Sequence, residues 1–173
     1  MKTNSTLFLV GYMGSGKSTV GKMLSGLLNY SFIDLDTAIE LETGKTISEI
    51  FETEGESGFR KIEQSVLHGI NARKNHVVAT GGGCPMFEDN MDWMNKNGTT
   101  IYLKVHPGII FHRIAPEKPG RPLIAALSDV ELMEFILETI KKRLPFYIKA
   151  HHTISAEETP KAIARSIQIQ LQD

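Results

Sequence analysis

Along this chain, short apolar runs alternate with longer stretches in which apolar residues recur every three or four positions. Leu7 to Val10 is an unbroken apolar run closed by Gly11, the form of a strand buried on both faces of a parallel sheet. The stretch after it places Val20, Leu24 and Leu27 on one face of a predicted helix. Ser31 to Asp34 predicts a second strand ending in acidic residues, followed by helical sequence through about Arg73 that breaks near Gly44 and Gly55. His76 to Thr80 predicts a third strand, stopped by Gly81, Gly82 and Gly83. A helix around Glu88 to Asn95 is expected to end at Gly98, in the position just past a helix where left-handed backbone is common.

Thr100 to Lys104 predicts a fourth strand and Ile109 to Ile114 a short helix; the Pro- and Gly-rich segment 115–122 predicts no regular structure. Ser128 begins another helix, and Glu131, three residues on, completes a capping box. Leu132, Met133, Ile136, Leu137, Ile140 and Leu144 sustain its 3.6 period. Thr153 to Ser155 predicts a fifth strand. Thr159 caps a last helix with Pro160 at its first position and Ile163, Ile167 and Leu171 on one face. Alternating strand–helix units without repeats or a linker predict an α/β fold in one domain over residues 1–173, a parallel sheet covered by helices on both faces.

Composition narrows the function classes. The chain has 173 residues, is 41% hydrophobic and carries a net charge of −1. That balance lacks the basic footprint of a nucleic-acid binder, so anion binding has to come from a few local positive groups. No apolar stretch approaches the roughly 18 residues of a membrane span, and Leu7 to Val10 is too short for a signal peptide core. The only cysteine, Cys84, has no intrachain disulfide partner, which fits a reducing compartment. A cytoplasmic protein without nucleic-acid or membrane partners is expected.

Gly11-Tyr12-Met13-Gly14-Ser15-Gly16-Lys17-Ser18 matches the phosphate-loop pattern G-x-x-x-x-G-K-[ST], between a predicted strand and a predicted amphipathic helix. Glycines let consecutive amides face an anion, and the helix N-terminus adds partial positive charge at the same point. Lys17 reaches the β- and γ-phosphates, and Ser18 offers a hydroxyl to Mg²⁺. This establishes nucleoside triphosphate binding and leaves three classes: a small-molecule kinase, a switch GTPase and a nucleic-acid-linked ATPase. The best approach to the guanine-reading N-K-x-D motif is Asn95-Lys96-Asn97-Gly98, which has glycine where the aspartate belongs. A nucleic-acid motor needs more chain and a basic surface.

Three further features bear on the choice. Arg121 lies in the Pro/Gly segment, where a lid that excludes water and delivers a cation would sit, although a surface loop with a solvated arginine has the same composition. Asp34 and Asp36 close the second strand, where ligands of open α/β sheets bind; one carboxylate would serve a metal and the other a substrate hydroxyl, and the same acids suit a helix N-terminus. Gly81 to Gly83 permits close backbone approach to a ligand or a tight turn.

Together these residues resemble the shikimate kinase family. The similarity runs nearly the whole chain: Gly11 to Thr19, Asp34-Leu35-Asp36, Gly55-Glu56 leading to Phe59-Arg60, Gly81 to Gly83, Arg121-Pro122-Leu123, and Arg143-Leu144-Pro145-Phe146-Tyr147. The resemblance implies transfer of the ATP γ-phosphoryl to the 3-hydroxyl of shikimate, giving 3-phosphoshikimate on the route to chorismate and the aromatic amino acids. It implies a P-loop three-layer α/β/α fold, a five-stranded sheet of order 2-3-1-4-5, a lid over about 115–126 and a monomer.

Residue by residue, the resemblance assigns Asp36 to the substrate hydroxyls, and Asp34 with Ser18 to Mg²⁺. Gly14, Ser15, Gly16, Lys17, Ser18 and Thr19 fall to the nucleotide, with Lys17 and Arg121 on its phosphates. Arg60 and Arg143 grip the shikimate carboxylate, Gly81, Gly82 and Gly83 make backbone contact, and Phe59 lines the substrate pocket. Arg113 falls where family members often stack an arginine on adenine. Glu158 and Thr159 stand where some members carry a basic residue before Pro160. Cys84 is expected to be a packed small side chain, and Trp93 and the methionines packing residues. A gluconate or nucleoside monophosphate kinase, or a non-catalytic nucleotide-binding regulator, remains the alternative.

Overall fold

A computed structural model of the chain describes residues 6–72, 74–120 and 124–172. Every residue of β1 (Thr6–Val10) is buried, as an apolar run between two helical layers requires. Its side chains alternate: Leu7 and Leu9 enter one core with Val20, Leu24, Ile110, Leu132, Ile163 and Ile167. Phe8 and Val10 enter the other, with Leu35, Ile39, Ile50, Leu67, Met91 and Met94.

The elements follow as α1 (Lys17–Leu28), β2 (Ser31–Asp34), α2 (Leu35–Thr43), α3 (Ile47–Gly69), β3 (His76–Ala79), α4 (Asn90–Asn97), β4 (Gly98–Lys104), α5 (Pro107–Ile114), α6 (Asp129–Tyr147), β5 (His152–Ser155) and α7 (Pro160–Gln170). The five strands are parallel in the order β2-β3-β1-β4-β5, the order the family resemblance implies. All five therefore end on the same edge, where the loops of a site gather.

Two of the caps read from the sequence form as expected. Ser128 and Glu131 make a reciprocal capping box, and Thr159 caps α7 ahead of Pro160. A second box, Thr46 with Glu49, starts α3. Gly55 breaks α3 with a φ of 68°, a conformation that excludes most other residues.

Several expectations need correction. Leu27 is 41% exposed, because the buried face of α1 is set by Val20, Gly21, Leu24 and Ser25. Leu137 and Leu144 likewise face outward at 49% and 37% exposure, while Leu132 and Ile136 carry the buried stripe of α6. Segment 115–120 is a 3₁₀ helix: Pro116 sits in its first turn, where a missing N–H goes unused. α3 ends at Gly69, and Arg73 lies outside the described residues. α4 begins at Asn90, since Glu88 takes a positive φ of 46°.

Gly98 opens β4 with an extended φ of −172° rather than a left-handed turn. Glycine is needed there for room: a Cβ would collide with the Thr6 carbonyl oxygen and come within 2.7 Å of the Phe8 ring. Gly98→Ala should therefore destabilise the fold by about 1–3 kcal/mol in denaturant unfolding, because backbone oxygen cannot step aside cheaply. Gly26→Ala, in α1 with nothing within 4 Å of its Cβ position, should stabilise by about 0.5–1 kcal/mol. Shifts of the same sign in both variants would refute this packing account.

Candidate active site

The loop between β1 and α1 curls because Gly14 and Gly16 take positive φ values of 75° and 90°. Gly16 is the N-cap of α1 and supplies no side-chain acceptor, so the first amides of the helix are left to an anion. Lys17 Nζ donates to the carbonyl oxygens of Gly11 (2.9 Å) and Tyr12 (2.8 Å), and to Ser15 Oγ at 3.5 Å. The loop thus holds its lysine against its own carbonyl oxygens. Ser15 is buried, and its amide donates to the Tyr12 carbonyl. Its side chain shapes the loop from within rather than lining the space above it.

A cavity of about 740 Å³ opens over this loop. Gly14, Gly16, Lys17, Ser18 and Thr19 form one wall, Asp34 and Asp36 another, and Thr80, Gly81 and Gly82 the end of β3. Arg113, Glu117 and Pro160 border it as well. Arg113 donates to the carbonyls of Gly14 (3.1 Å) and Ala156 (3.4 Å), so it braces the phosphate loop.

The turn from β2 into α2 fixes the two aspartates. Asp34 is the N-cap, accepting the Asp36 amide at 3.2 Å, and Ser18 Oγ donates to its other oxygen at 2.6 Å. Leu35 between them is buried, so both acids are left on the cavity side. Asp36 opens to solvent through the cavity mouth, while protein packs its other sides. Its pKa lies above the ordinary aspartate value, first because of that desolvation and then because of Asp34; Lys17 and Arg60 pull it back down.

Three glycines bring the rest together. A Cβ on Gly81 would collide with Glu63 and lie 3.6 Å from Asp36 Oδ1. One on Gly82 would lie 2.9 Å from Arg143 Nη1, and one on Gly83 would lie 2.7 Å from Arg60 Cζ. Consecutive Cα atoms are about 3.8 Å apart, so Asp36, Arg143 and Arg60 meet around a single short turn.

Each arginine is supported differently. Arg60 donates to Glu63 at 2.8 Å and reaches the exposed Glu56 at 3.4 Å. Glu63 is wholly buried and its pKa is raised, first by desolvation, with Arg60 acting against the rise. Its Oε1 has no hydrogen-bond partner among the described residues. Arg143 lies 5.4 Å from the centre of the Tyr12 ring, and its charge acts on the Tyr147 hydroxyl, which donates to the Gly82 carbonyl at 2.6 Å.

Phe59, expected in the pocket lining, is in the core instead. It is 4% exposed, stacked on Phe51 at 4.5 Å and 5.1 Å from the Arg60 guanidinium, so it backs the arginine. Cys84 is a buried free thiol beside Asn90. Trp93 packs edge-on to Phe8 and flat on His68. Arg121, Pro122 and Leu123 lie outside the described residues. Glu63, Tyr147, Tyr12 and Glu117 were not anticipated. Glu63 and Tyr147 had a signal, at three and four residues beyond an arginine on a helix. Tyr12 and Glu117 had none.

Among the described residues, no group of three or more His, Cys, Asp or Glu is arranged to hold a metal, and no helix is long and apolar enough to cross a membrane. The Ser18–Asp34 pair does offer two hard oxygen donors at the cavity wall.

Comparison with known proteins fits this geometry. The shikimate kinase family matches residues 13–172. A shikimate kinase of Bacteroides thetaiotaomicron is 46% identical over 152 residues, 88% of this chain and 87% of its own. A crystal structure of shikimate kinase from the same organism superposes with a TM-score of 0.91 at 41% identity, covering 98% of this chain and 99% of that one. Shikimate kinase from Acinetobacter baumannii, solved in complex with shikimate, gives a TM-score of 0.90 at 36% identity, over 99% and 94% of the two chains. With the match unbroken from the phosphate loop to the last helix, the chain belongs to the shikimate kinase family.

Proposed function

We propose that this chain transfers the γ-phosphoryl of ATP to the 3-hydroxyl of shikimate, yielding 3-phosphoshikimate and ADP for chorismate and aromatic amino acid synthesis. The observation that carries the reading is the meeting of Arg60, Arg143 and Asp36 at Gly81 to Gly83, beside the phosphate loop. Shikimate is a small ring with one carboxylate and three hydroxyls. Planar guanidinium groups match a carboxylate in two-point hydrogen bonding, and a carboxylate accepts from hydroxyls.

On this reading residues 1–173 work as one monomeric kinase domain in the cytoplasm, with 115–126 as lid and Arg121 reaching the phosphates. Lys17 and the α1 amides hold the triphosphate, Thr19 borders it, and Arg113 and Pro160 flank the base. Mg²⁺ suits Ser18 and Asp34, since magnesium takes one or two protein oxygens and completes its shell with water and phosphate. When bound it neutralises charge on the transferring phosphoryl. Asp36 accepts a hydrogen bond from the 3-hydroxyl and orients it for in-line attack. Phosphoryl transfer passes through a loose transition state, so orientation contributes more than base strength. Against the alternatives of a gluconate kinase, a nucleoside monophosphate kinase or an inert regulator, ADP release should require shikimate and fail with gluconate or CMP.

Asp36→Asn should lower kcat by at least about 100-fold while ATP affinity, measured by calorimetry, is retained. Normal turnover would remove Asp36 from the chemistry. The pH profile gives a second check. The ionised carboxylate is the accepting form, and burial and Asp34 favour the protonated one. The acid limb of kcat/KM should therefore sit above the ordinary aspartate range and vanish in the asparagine variant.

Arg60→Lys keeps the charge and loses the planar fork. KM for shikimate should rise by roughly 10- to 100-fold with KM for ATP nearly constant. An unaltered shikimate KM would dismiss the carboxylate grip.

A further inference from the structure

The two arginines at the glycine turn are held in chemically different ways. Arg60 is paired with the buried carboxylate of Glu63 and touches Glu56. Arg143 has no carboxylate within ion-pair distance among the described residues, and its Nε has no hydrogen-bond partner there. Its neighbours are a ring face, Tyr12, and a neutral hydroxyl, Tyr147, while the Glu63 carboxylate acts on it only from beyond ion-pair distance. Much of the Arg60 charge is therefore compensated by direct ion pairs inside the protein, whereas most of that of Arg143 is left for a ligand.

Tyr147 is fully buried, and its ring stacks on Tyr102 at 5.1 Å in the second core. That packing accounts for an aromatic ring, and phenylalanine would serve it equally. The hydroxyl does something else: it donates to the Gly82 carbonyl at 2.6 Å, at the glycine against which Arg143, one helical turn back, lies. Gly82 lines the cavity, and Arg143 Nη1 occupies the space beside it that a side chain would fill.

We propose that Tyr147 is a positioning residue for the substrate carboxylate: its hydroxyl fixes the Arg143 guanidinium and the Gly82 peptide relative to each other without neutralising the arginine. A carboxylate in its place would orient Arg143 equally well but cancel the charge the substrate needs. Burial raises the phenol pKa far above neutrality, so the group stays an uncharged donor. The inference rests on the reading of Arg143 as a carboxylate ligand and identifies what holds that ligand in place.

Shikimate affinity by calorimetry and steady-state kinetics on the intact chain test it. Tyr147→Phe should weaken shikimate binding by about ten-fold, the equivalent of one lost buried hydrogen bond. KM for ATP and kcat at saturating shikimate should stay within about two-fold. In an Arg143→Ala background the same change should add little, since the two residues act as a unit. Tyr102→Phe, which removes a hydroxyl from the stacked partner ring, should leave shikimate affinity unchanged. Undiminished affinity in Tyr147→Phe, full multiplication of the two effects in the double variant, or an equal loss in Tyr102→Phe would each overturn the proposal. If Arg143→Ala itself bound shikimate normally, the ligand role of Arg143 would fall instead.

Discussion

Arg143 and Arg60 occupy space that any side chain at Gly82 and Gly83 would claim, and Glu63 does the same at Gly81. The site depends on this exclusion. Guanidinium groups otherwise extend into water, and holding two of them against a backbone turn needs both a vacancy and partners that offset desolvation. The glycines provide the vacancy. Glu63 offsets one arginine, and the Tyr12 ring faces the other.

The same turn sets the electrostatic balance. Asp34, Asp36 and Glu63 stand among Lys17, Arg60 and Arg143, and desolvation lifts Asp36 and Glu63 above their ordinary values while the cations restrain them. Asp34 is tied to Ser18, which leaves Asp36 as the acid facing the space between phosphate loop and glycine turn. Two carboxylates two residues apart have different surroundings because β2 ends and α2 begins between them.

α6 links these groups to the rest of the fold. Leu132 and Ile136 anchor it in one core and Tyr147 in the other, so the helix passes between layers and carries Arg143 over the strand ends. Its N-terminal end is fixed by the Ser128–Glu131 box, and Asp129 pairs with Lys118 at 3.2 Å, joining the helix to the 3₁₀ segment 115–120. A helix held at both ends delivers an arginine with little freedom to lose on binding.

The sequence alone determined the strand–helix alternation, the phosphate loop and most of the caps, because these are local: period, glycine placement and hydrogen bonds within a few residues. The ordered motifs also carried the family, and with it the strand order. Only the tertiary structure decided which apolar residues on α1 and α6 face inward, and why Gly98 is a glycine, since both depend on what packs opposite. Tertiary packing also withdrew Phe59 into the core and set the Tyr12 ring against Arg143, whereas Glu63 and Tyr147 follow their arginines at helical spacing. A side chain's partner across the fold, unlike its neighbour along a helix, leaves no spacing in the chain to read.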